Sequence, residues 1–332
     1  MAMDLPLLSA LFAAFALSLY VMLDGFDLGV GALLLAQPDE ELRDRMVDSI
    51  TPTWDGNETW LIMTGVALLA AFPIAYGILL PAFYLPLIAM LLALGLRGVS
   101  FEFRYQVERS RQAWDVAFGL GSIIAALMQG CIVGGLIQGV AINGERFSGS
   151  VLDVFGPFSI LVAVSLLAGY MVLGGGWLHL KAPRNLQGFA ERSLRRTTPA
   201  FVGLAVATCG AAALVQPGVS DAWTGHPATL AIVGVLFLSA AVALMQAIGG
   251  PSALRPFLLG LVLFALGVAG LGVTIFPDIV PFRLTLWQAA SSSLSHVFLL
   301  IGAAIVTPVV LAYSAFAYRV FRGKTPEKGW EL

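Results

Sequence analysis

Long stretches without a charged residue recur along the chain, separated by short segments that hold most of the charges and by glycine and proline breaks. Each stretch is close to or above the roughly 20 apolar residues that a helix needs to cross about 30 Å of hydrocarbon. The uncharged run at 59–96 is too long for one crossing, and Phe72-Pro73 with Gly77 divides it into a hairpin. The pattern predicts nine helices, near 5–36, 54–74, 79–100, 115–141, 154–181, 199–217, 227–249, 256–276 and 294–322.

The composition supports this prediction. Of the 332 residues, 58% are hydrophobic and 11% are charged, and the mean hydropathy is +0.88. A soluble domain carries about 25% charged residues, so this chain has too little charge to cover a water-facing surface. The segments also exceed the roughly 10 residues of a barrel strand. We therefore expect an all-α integral membrane protein with one transmembrane domain over 1–332, in which the polar segments 37–53 and 182–198 are loops.

A weak internal sequence similarity bears on the arrangement of these helices. The segments at 54–61 and 287–294 both begin with tryptophan, follow a loop and start a span, although only the first carries acids. This similarity is compatible with a duplicated bundle, that is, two four-helix bundles plus one helix.

Lysine and arginine are concentrated on alternate connections, and basic short loops stay on the cytoplasmic side. The connections after the first, third, fifth and seventh spans and the tail after the ninth hold sixteen of the 18 basic residues. The opposite connections hold Arg146 and Arg283. We expect the N-terminus outside and the C-terminus in the cytoplasm. The first span has no preceding basic segment and carries Asp24 and Asp27, so we expect a retained helix rather than a signal peptide.

Ionisable residues in or near the spans are costly in hydrocarbon, so they are candidate functional residues. Asp24 and Asp27 are three residues apart, and therefore neighbours on one helix face, toward the inner end of the first span. Gly25 and Gly29 form a GxxxG pattern that allows another helix to approach closely. We expect buried carboxylates in a polar path; the alternative is a pair of interfacial acids near the end of the helix.

The next two spans carry further candidates at the same side of the membrane. Asp55 and Glu58 lie with Asn57 in the first turns of the second span, where helix capping alone would explain one acid. Arg97 at the inner end of the third span is placed to pair with an acid of the first two spans, and Glu102 to extend the chain of carboxylates. The alternative for Arg97 is an ordinary basic residue at a cytoplasmic helix end.

Haem or metal binding by this chain fits the sequence poorly. The only histidines are His179, at the inner end of the fifth span, and His226 and His296, at the outer starts of the seventh and ninth spans. No two of them occupy facing helices at mid-depth, so we expect neither a bis-histidine haem nor a metal site. Cys131 and Cys209 lie in separate apolar segments and are expected to be packing residues. The net charge of −2 argues against nucleic acid as a partner.

Three motifs together resemble subunit II of cytochrome bd-type quinol oxidases. They are Leu-Asp-Gly-Phe-Asp-Leu-Gly at 23–29, Trp-Asp-Gly-Asn-Glu-Thr-Trp-Leu at 54–61 and Arg-Gly-Val-Ser-Phe-Glu-Phe-Arg at 97–104. Their order, spacing and placement match that family, as do the length, the nine spans and the outward N-terminus. Glu58 and the short length are more similar to the cyanide-insensitive branch. One departure is Gln288, where many relatives place an acid after the tryptophan.

The resemblance implies a heterodimer in a bacterial inner membrane with a haem-bearing subunit I. That partner holds two b-type haems and a third haem of d or b type, oxidises quinol and reduces oxygen to water. Subunit II of this family ligates no haem and has no catalytic residue of its own, and a structural quinone and a small accessory subunit are compatible with it. Its acids at the positions of Asp27 and Asp55 are proposed to line a proton path from the cytoplasm.

Two other classes of function remain open from the sequence. A proton-coupled secondary transporter also uses intramembrane acids, but it places them near the midplane on broken helices. The acids of this chain gather at one membrane edge instead. A purely structural scaffold is the third interpretation. Co-purification with a haem protein would distinguish an oxidase subunit from a transporter.

Overall fold

The computed structural model describes residues 3–106 and 110–326, and helices make up most of it. The helices are α1 (Leu5–Leu34), α2 (Glu40–Asp48), α3 (Trp54–Ala71), α4 (Pro73–Ala82), α5 (Tyr84–Gln106), α6 (Arg111–Gln138), α7 (Pro157–Lys181), α8 (Arg184–Val215), α9 (Pro217–Gly225), α10 (Pro227–Ala247), α11 (Leu254–Ile275) and α12 (Ser293–Val320). Two antiparallel hairpins, β1 (Ile142–Asn143) with β2 (Arg146–Phe147) and β3 (Asp278–Val280) with β4 (Leu284–Thr285), lie in connections. Arg109 and Lys328, two of the basic residues counted above, lie outside the described residues.

Eight helices of the described part of the chain are long and apolar enough to cross a membrane: α1, α5, α6, α7, α8, α10, α11 and α12. Helix α3 is the ninth by its place, because its 18 residues pack along α1 and α12. The polar residues of its first two turns lower its hydropathy. The predicted fold class, a helical membrane protein with about nine spans, is confirmed.

The hairpin between the second and third spans differs in detail from the prediction. The predicted break is present, since α3 ends before Phe72 and Pro73 begins α4. A second break at Phe83 then separates α4, a helix of 10 residues, from α5. The third span therefore begins at Tyr84 rather than near 79.

Both polar segments that were predicted to be loops contain helix, so that prediction is wrong for most of their length. In 37–53, Asp39 caps α2, and its side chain accepts a hydrogen bond from the Leu42 backbone N–H at 3.2 Å. In 182–198, α8 begins at Arg184 because Leu186, Ala190 and Leu194 recur at helical spacing, and all three are buried. The charged residues of this segment lie on its other faces and conceal the apolar stripe in a hydropathy average.

Helix α1 lies centrally and packs against α3, α6 and α7. Its contact with α7 depends on glycine, because a Cβ on Gly29 would overlap the carbonyl oxygen of Tyr170 and one on Gly174 would overlap the Gly29 backbone. The close approach predicted from Gly25 and Gly29 is therefore made with α7.

The helix contacts form two groups of four. Helices α1, α3, α5 and α6 form one group, α7, α8, α10 and α11 form the other, and α12 packs on α3 and α1. The groups meet where α7 contacts α1 and α6. This arrangement agrees with two four-helix bundles plus one helix.

The connections gather at two ends of the molecule. At one end, which we call the basic end, the Thr325 backbone N–H donates to the carbonyl oxygen of Lys181 at 2.9 Å, and Arg45 donates to the carbonyl oxygen of Pro326 at 3.2 Å. At the opposite end, the indole N–H of Trp287 donates to the Asp4 carboxylate at 3.0 Å. These contacts fit nine alternating crossings; that the basic end faces the cytoplasm stays a prediction.

Candidate functional site

A buried arginine joins the first three membrane-crossing helices. Arg97 of α5 donates from Nη2 to Asp24 Oδ1 of α1 at 2.7 Å and to Glu58 Oε2 of α3 at 3.1 Å. The side chains of Arg97 and Asp24 are 0% exposed, whereas that of Glu58 is 26% exposed. Asp24 lies ten residues before the end of α1, roughly 15 Å along the axis from the basic end. The pairing predicted for Arg97 with acids of the first two spans is present.

Asp27 belongs to the same region but has a different partner. Its Oδ2 accepts a hydrogen bond from Asn57 Nδ2 of α3 at 2.8 Å. Asn57 Oδ1 in turn accepts one from the hydroxyl of Tyr318 on α12 at 2.9 Å. Asp27 is therefore linked to α3 and α12 rather than directly to Arg97. We call Asp24, Asp27, Asn57, Glu58 and Arg97 the charged cluster.

Several polar atoms of the charged cluster are buried without a partner among the described residues. They are Oδ2 of Asp24, Oδ1 of Asp27, and Nε and Nη1 of Arg97. Buried polar atoms in proteins are ordinarily hydrogen-bonded, to protein or to water. The cluster also sets three carboxyl groups against one guanidinium, so it can take up a proton without acquiring a net positive charge. It has the donors, acceptors and charge that a proton relay needs.

Asp55 and Glu102, the other two candidates from the sequence, lie outside the charged cluster. Asp55 is exposed in the first turn of α3, three residues before Glu58. Glu102 is exposed near the end of α5. In the described ranges, neither side chain makes an ion pair, and only Asp55 adjoins a member of the cluster along its own helix.

Sequence analysis missed a second polar group, one helical turn from Asp24. Gln129 of α6 donates from Nε2 to the hydroxyl of Tyr20 and accepts at Oε1 from the hydroxyl of Tyr170, both at 2.6 Å. All three side chains are buried. The available signal was a glutamine within an apolar span, because a buried amide requires partners.

It also missed Asp115, the centre of an ion-pair network at the basic end. Asp115 accepts from Arg43 Nε at 2.8 Å and from Arg104 Nε at 2.5 Å. Asp44 pairs with Arg104 and, at 2.6 Å, with Arg111. The network attaches α2 to α5 and α6. The sequence signal was five charged residues in or beside the connections between the predicted spans, but a hydropathy analysis treats them as loop charges.

The histidines do not converge. His179 is buried at the basic end, His226 is exposed at the opposite end, and His296 is buried there with its Nδ1 2.8 Å from the Ser9 hydroxyl. Over 3–106 and 110–326, no group of three or more His, Cys, Asp or Glu side chains could hold a metal ion.

A comparison with protein families decides what kind of protein carries this cluster. The model of the cytochrome bd terminal oxidase subunit II family matches residues 5–321. The chain belongs to this family. The resemblance found in the sequence motifs is thereby confirmed, and the transporter alternative loses its support.

Individual relatives agree with the assignment over nearly the whole length. The chain is 28% identical to the probable cytochrome oxidase subunit 2 of Haemophilus influenzae, covering 91% of this chain and 90% of the relative. It is 27% identical to the cytochrome bd-I ubiquinol oxidase subunit 2 of Escherichia coli K12, covering 94% and 93%. It is 29% identical to the cytochrome bd ubiquinol oxidase subunit 2 of Bacillus subtilis, covering 93% of each.

The fold also matches a solved structure, that of the bd oxidase from Geobacillus thermodenitrificans. The TM-score is 0.77 at 16% identity, and the match covers 96% of this chain and 99% of that chain. As a subunit II of the bd oxidase family, the chain is an integral membrane component of an oxidoreductase complex, and its partner is the haem-carrying subunit I.

Proposed function

We propose that this subunit II supplies protons from the cytoplasm to the oxygen-reducing site of subunit I, through the charged cluster. In this proposal the complex oxidises quinol, and the chain itself ligates no haem and carries no catalytic residue. The observation that carries the proposal is the pairing of buried Arg97 with both buried Asp24 and partly exposed Glu58.

The exposures give the proposed path an order. Asp55 is exposed at the start of α3, Glu58 is partly exposed one turn further, and Asp24 is fully buried beyond Arg97. A proton that enters at Asp55 would therefore meet progressively more buried acceptors. Asp27, with Asn57 and Tyr318, forms a branch toward α12. We leave Glu102 out of the path because, unlike Asp55, it does not adjoin a member of the cluster along its own helix, and its side chain makes no ion pair among the described residues.

The chemistry of the complex supports a path of this kind. Reduction of oxygen to water consumes protons inside subunit I, while charged groups within a membrane are costly and are retained where they serve ion or proton movement. The excess of basic residues at the same end supports a cytoplasmic entrance in a bacterial inner membrane. A structural quinone and a small accessory subunit remain compatible with this proposal, which assigns no residue to either.

The test uses conservative variants in the intact complex. Glu58→Gln and Asp24→Asn keep the size of the side chain and its ability to accept hydrogen bonds, but neither amide carries the proton. We expect quinol-driven oxygen consumption to fall about 100-fold or more, in the range that a positioned proton-transfer group contributes. Anaerobic reduction of the haems by quinol should remain close to normal. Glu102→Gln is the matched control and should keep full oxygen consumption.

Haem content per complex is measured in parallel, because a structural role predicts a different result. Loss of haem or of subunit I from both variants would favour the scaffold interpretation. Assembled variants that consume oxygen at the normal rate would refute the proton path.

A further inference from the structure

A cavity of about 500 Å³ opens between α1, α7, α11 and α12 at the basic end. Its wall is aromatic. Phe26 stacks on Trp177 with ring centroids 4.4 Å apart, and Phe257 packs edge-on against them at 5.5 and 5.3 Å. Apolar, aromatic walls of this kind are typical of sites that enclose an apolar ligand or part of one.

Three cations line the same cavity, and no carboxylate among the described residues does. Lys181 is 7% exposed; its Nζ donates to the carbonyl oxygen of Phe321 at 2.6 Å and lies 5.2 Å from the centre of a Trp177 ring. Lys324 donates to the carbonyl oxygen of His179 at 3.1 Å. Arg322 is exposed beside them.

Among the described residues, hydrogen bonds account for only part of the donor capacity of the two lysines. An ammonium group has three donors, and one from each lysine is accounted for by a backbone carbonyl. Burial lowers the pKa of Lys324, because partial desolvation disfavours its charged form. The cavity thus combines an apolar wall with a rim of three cations, and no carboxylate of residues 3–106 or 110–326 lines it.

We propose that this cavity binds one anionic phospholipid, with an acyl chain against Phe26, Trp177 and Phe257 and the phosphate at Lys181, Arg322 and Lys324. The location agrees with this occupant. Lys181 ends α7 and Arg322 follows the end of α12, so the cations lie where membrane-crossing helices meet the headgroup layer. Basic groups at that level attract anionic lipid by about 1 kcal/mol each, which is roughly fivefold in affinity per charge. A neutral ligand such as a quinone would bring no negative charge to these three cations.

Native mass spectrometry of the purified subunit I–subunit II complex tests the proposal. The complex is delipidated in detergent and titrated with phosphatidylglycerol or with phosphatidylcholine. We expect one phosphatidylglycerol to bind preferentially, and Arg322→Gln to weaken that binding about fivefold. Lys181→Gln should weaken it at least as much. Arg319→Gln is the matched control, since Arg319 is exposed near the end of α12 and does not line the cavity.

Arg322→Gln keeps the test independent of folding, because Lys181 also holds the C-terminal segment through its bond to Phe321. Equal binding of the two lipids, or unchanged binding in the Arg322 variant, would overturn the proposal. Displacement of bound lipid by millimolar inorganic phosphate would indicate a site for a free anion instead. A quinone retained in place of phospholipid, and lost in the Lys181 variant, would likewise contradict it.

Discussion

Removal of Arg97 is the sharpest test of how the charged cluster is held. The guanidinium is fully buried between Asp24, itself fully buried, and Glu58. Arg97→Met retains much of the length of the side chain but leaves the Asp24 carboxylate in an apolar setting without its cation. Arg97→Met combined with Asp24→Leu removes both charges and keeps most of the volume.

The two variants should differ greatly in stability. Breaking a buried ion pair by removing one partner costs about 3–5 kcal/mol, whereas replacing both partners by apolar residues of similar volume is often neutral or stabilising. Glu58 adds less, because a side chain that is 26% exposed can still reach water. We expect a coupling energy of roughly 3 kcal/mol between Arg97 and Asp24.

The assay is the heat stability of the purified complex, followed by haem absorbance and by light scattering. With about 2–4 °C per kcal/mol, the scale for domains of 150–250 residues, Arg97→Met should lower the midpoint on the order of 10 °C. The double variant should recover most of that loss. Arg319→Met, at an exposed site, should change the midpoint by no more than about 2 °C.

Asp24→Leu alone completes the cycle, and a double variant that loses the sum of the losses of Arg97→Met and Asp24→Leu would show that Arg97 and Asp24 do not interact. Arg97→Met with an unchanged midpoint would show that the burial or the pairing described above is absent in the assembled complex. Either result would refute the geometry of the cluster.

Three further outcomes are expected. Gly29→Ala should destabilise the complex by about 1–3 kcal/mol through overlap with α7, whereas Gly203→Ala, in open space on α8, should be neutral or stabilise it by up to about 1 kcal/mol; equal midpoints would contradict the glycine contact. Reporter fusions should place Asn185 in the cytoplasm and Gly144, between β1 and β2, outside, and a common side for both would exclude nine crossings. Asp115→Asn should lower the heat-stability midpoint by the equivalent of about 1.5–3 kcal/mol, because it removes the carboxylate charge that Arg43 and Arg104 share; an unchanged midpoint would show that this carboxylate contributes nothing.

The membrane crossings, and the end of the molecule near which the candidate functional residues lie, could be predicted from the sequence because both depend on local patterns. A run of about 20 apolar residues is one helix in hydrocarbon, and an excess of basic residues identifies one side. The same averaging concealed the first part of α8, where buried Leu186, Ala190 and Leu194 are interspersed with charged residues. A helical moment would have found this stripe where a mean hydropathy did not.

The pairings inside the bundle could not be predicted in the same way. Arg97 could pair with any acid at its depth, and its choice of Asp24 over Asp27 depends on the rotation of α1 about its axis. That rotation is set by remote contacts, above all the meeting of Gly29 with Gly174 of α7. Gln129 likewise finds Tyr20 and Tyr170 only because three helices meet there.

Charge is buried in this bundle although apolar residues of similar volume are often equally stabilising. If apolar residues in place of Arg97 and Asp24 hold α1 against α5 equally well, the ion pair is not required for packing. A charge kept in hydrocarbon without benefit to packing points to a role that needs charge or an exchangeable proton. A double variant that is heat-stable and keeps its haem, but consumes oxygen slowly, would therefore separate the two roles. Normal oxygen consumption in the same variant would exclude Asp24 and Arg97 from the proton path. It would not affect the conclusion that the two residues pair in the unmodified protein.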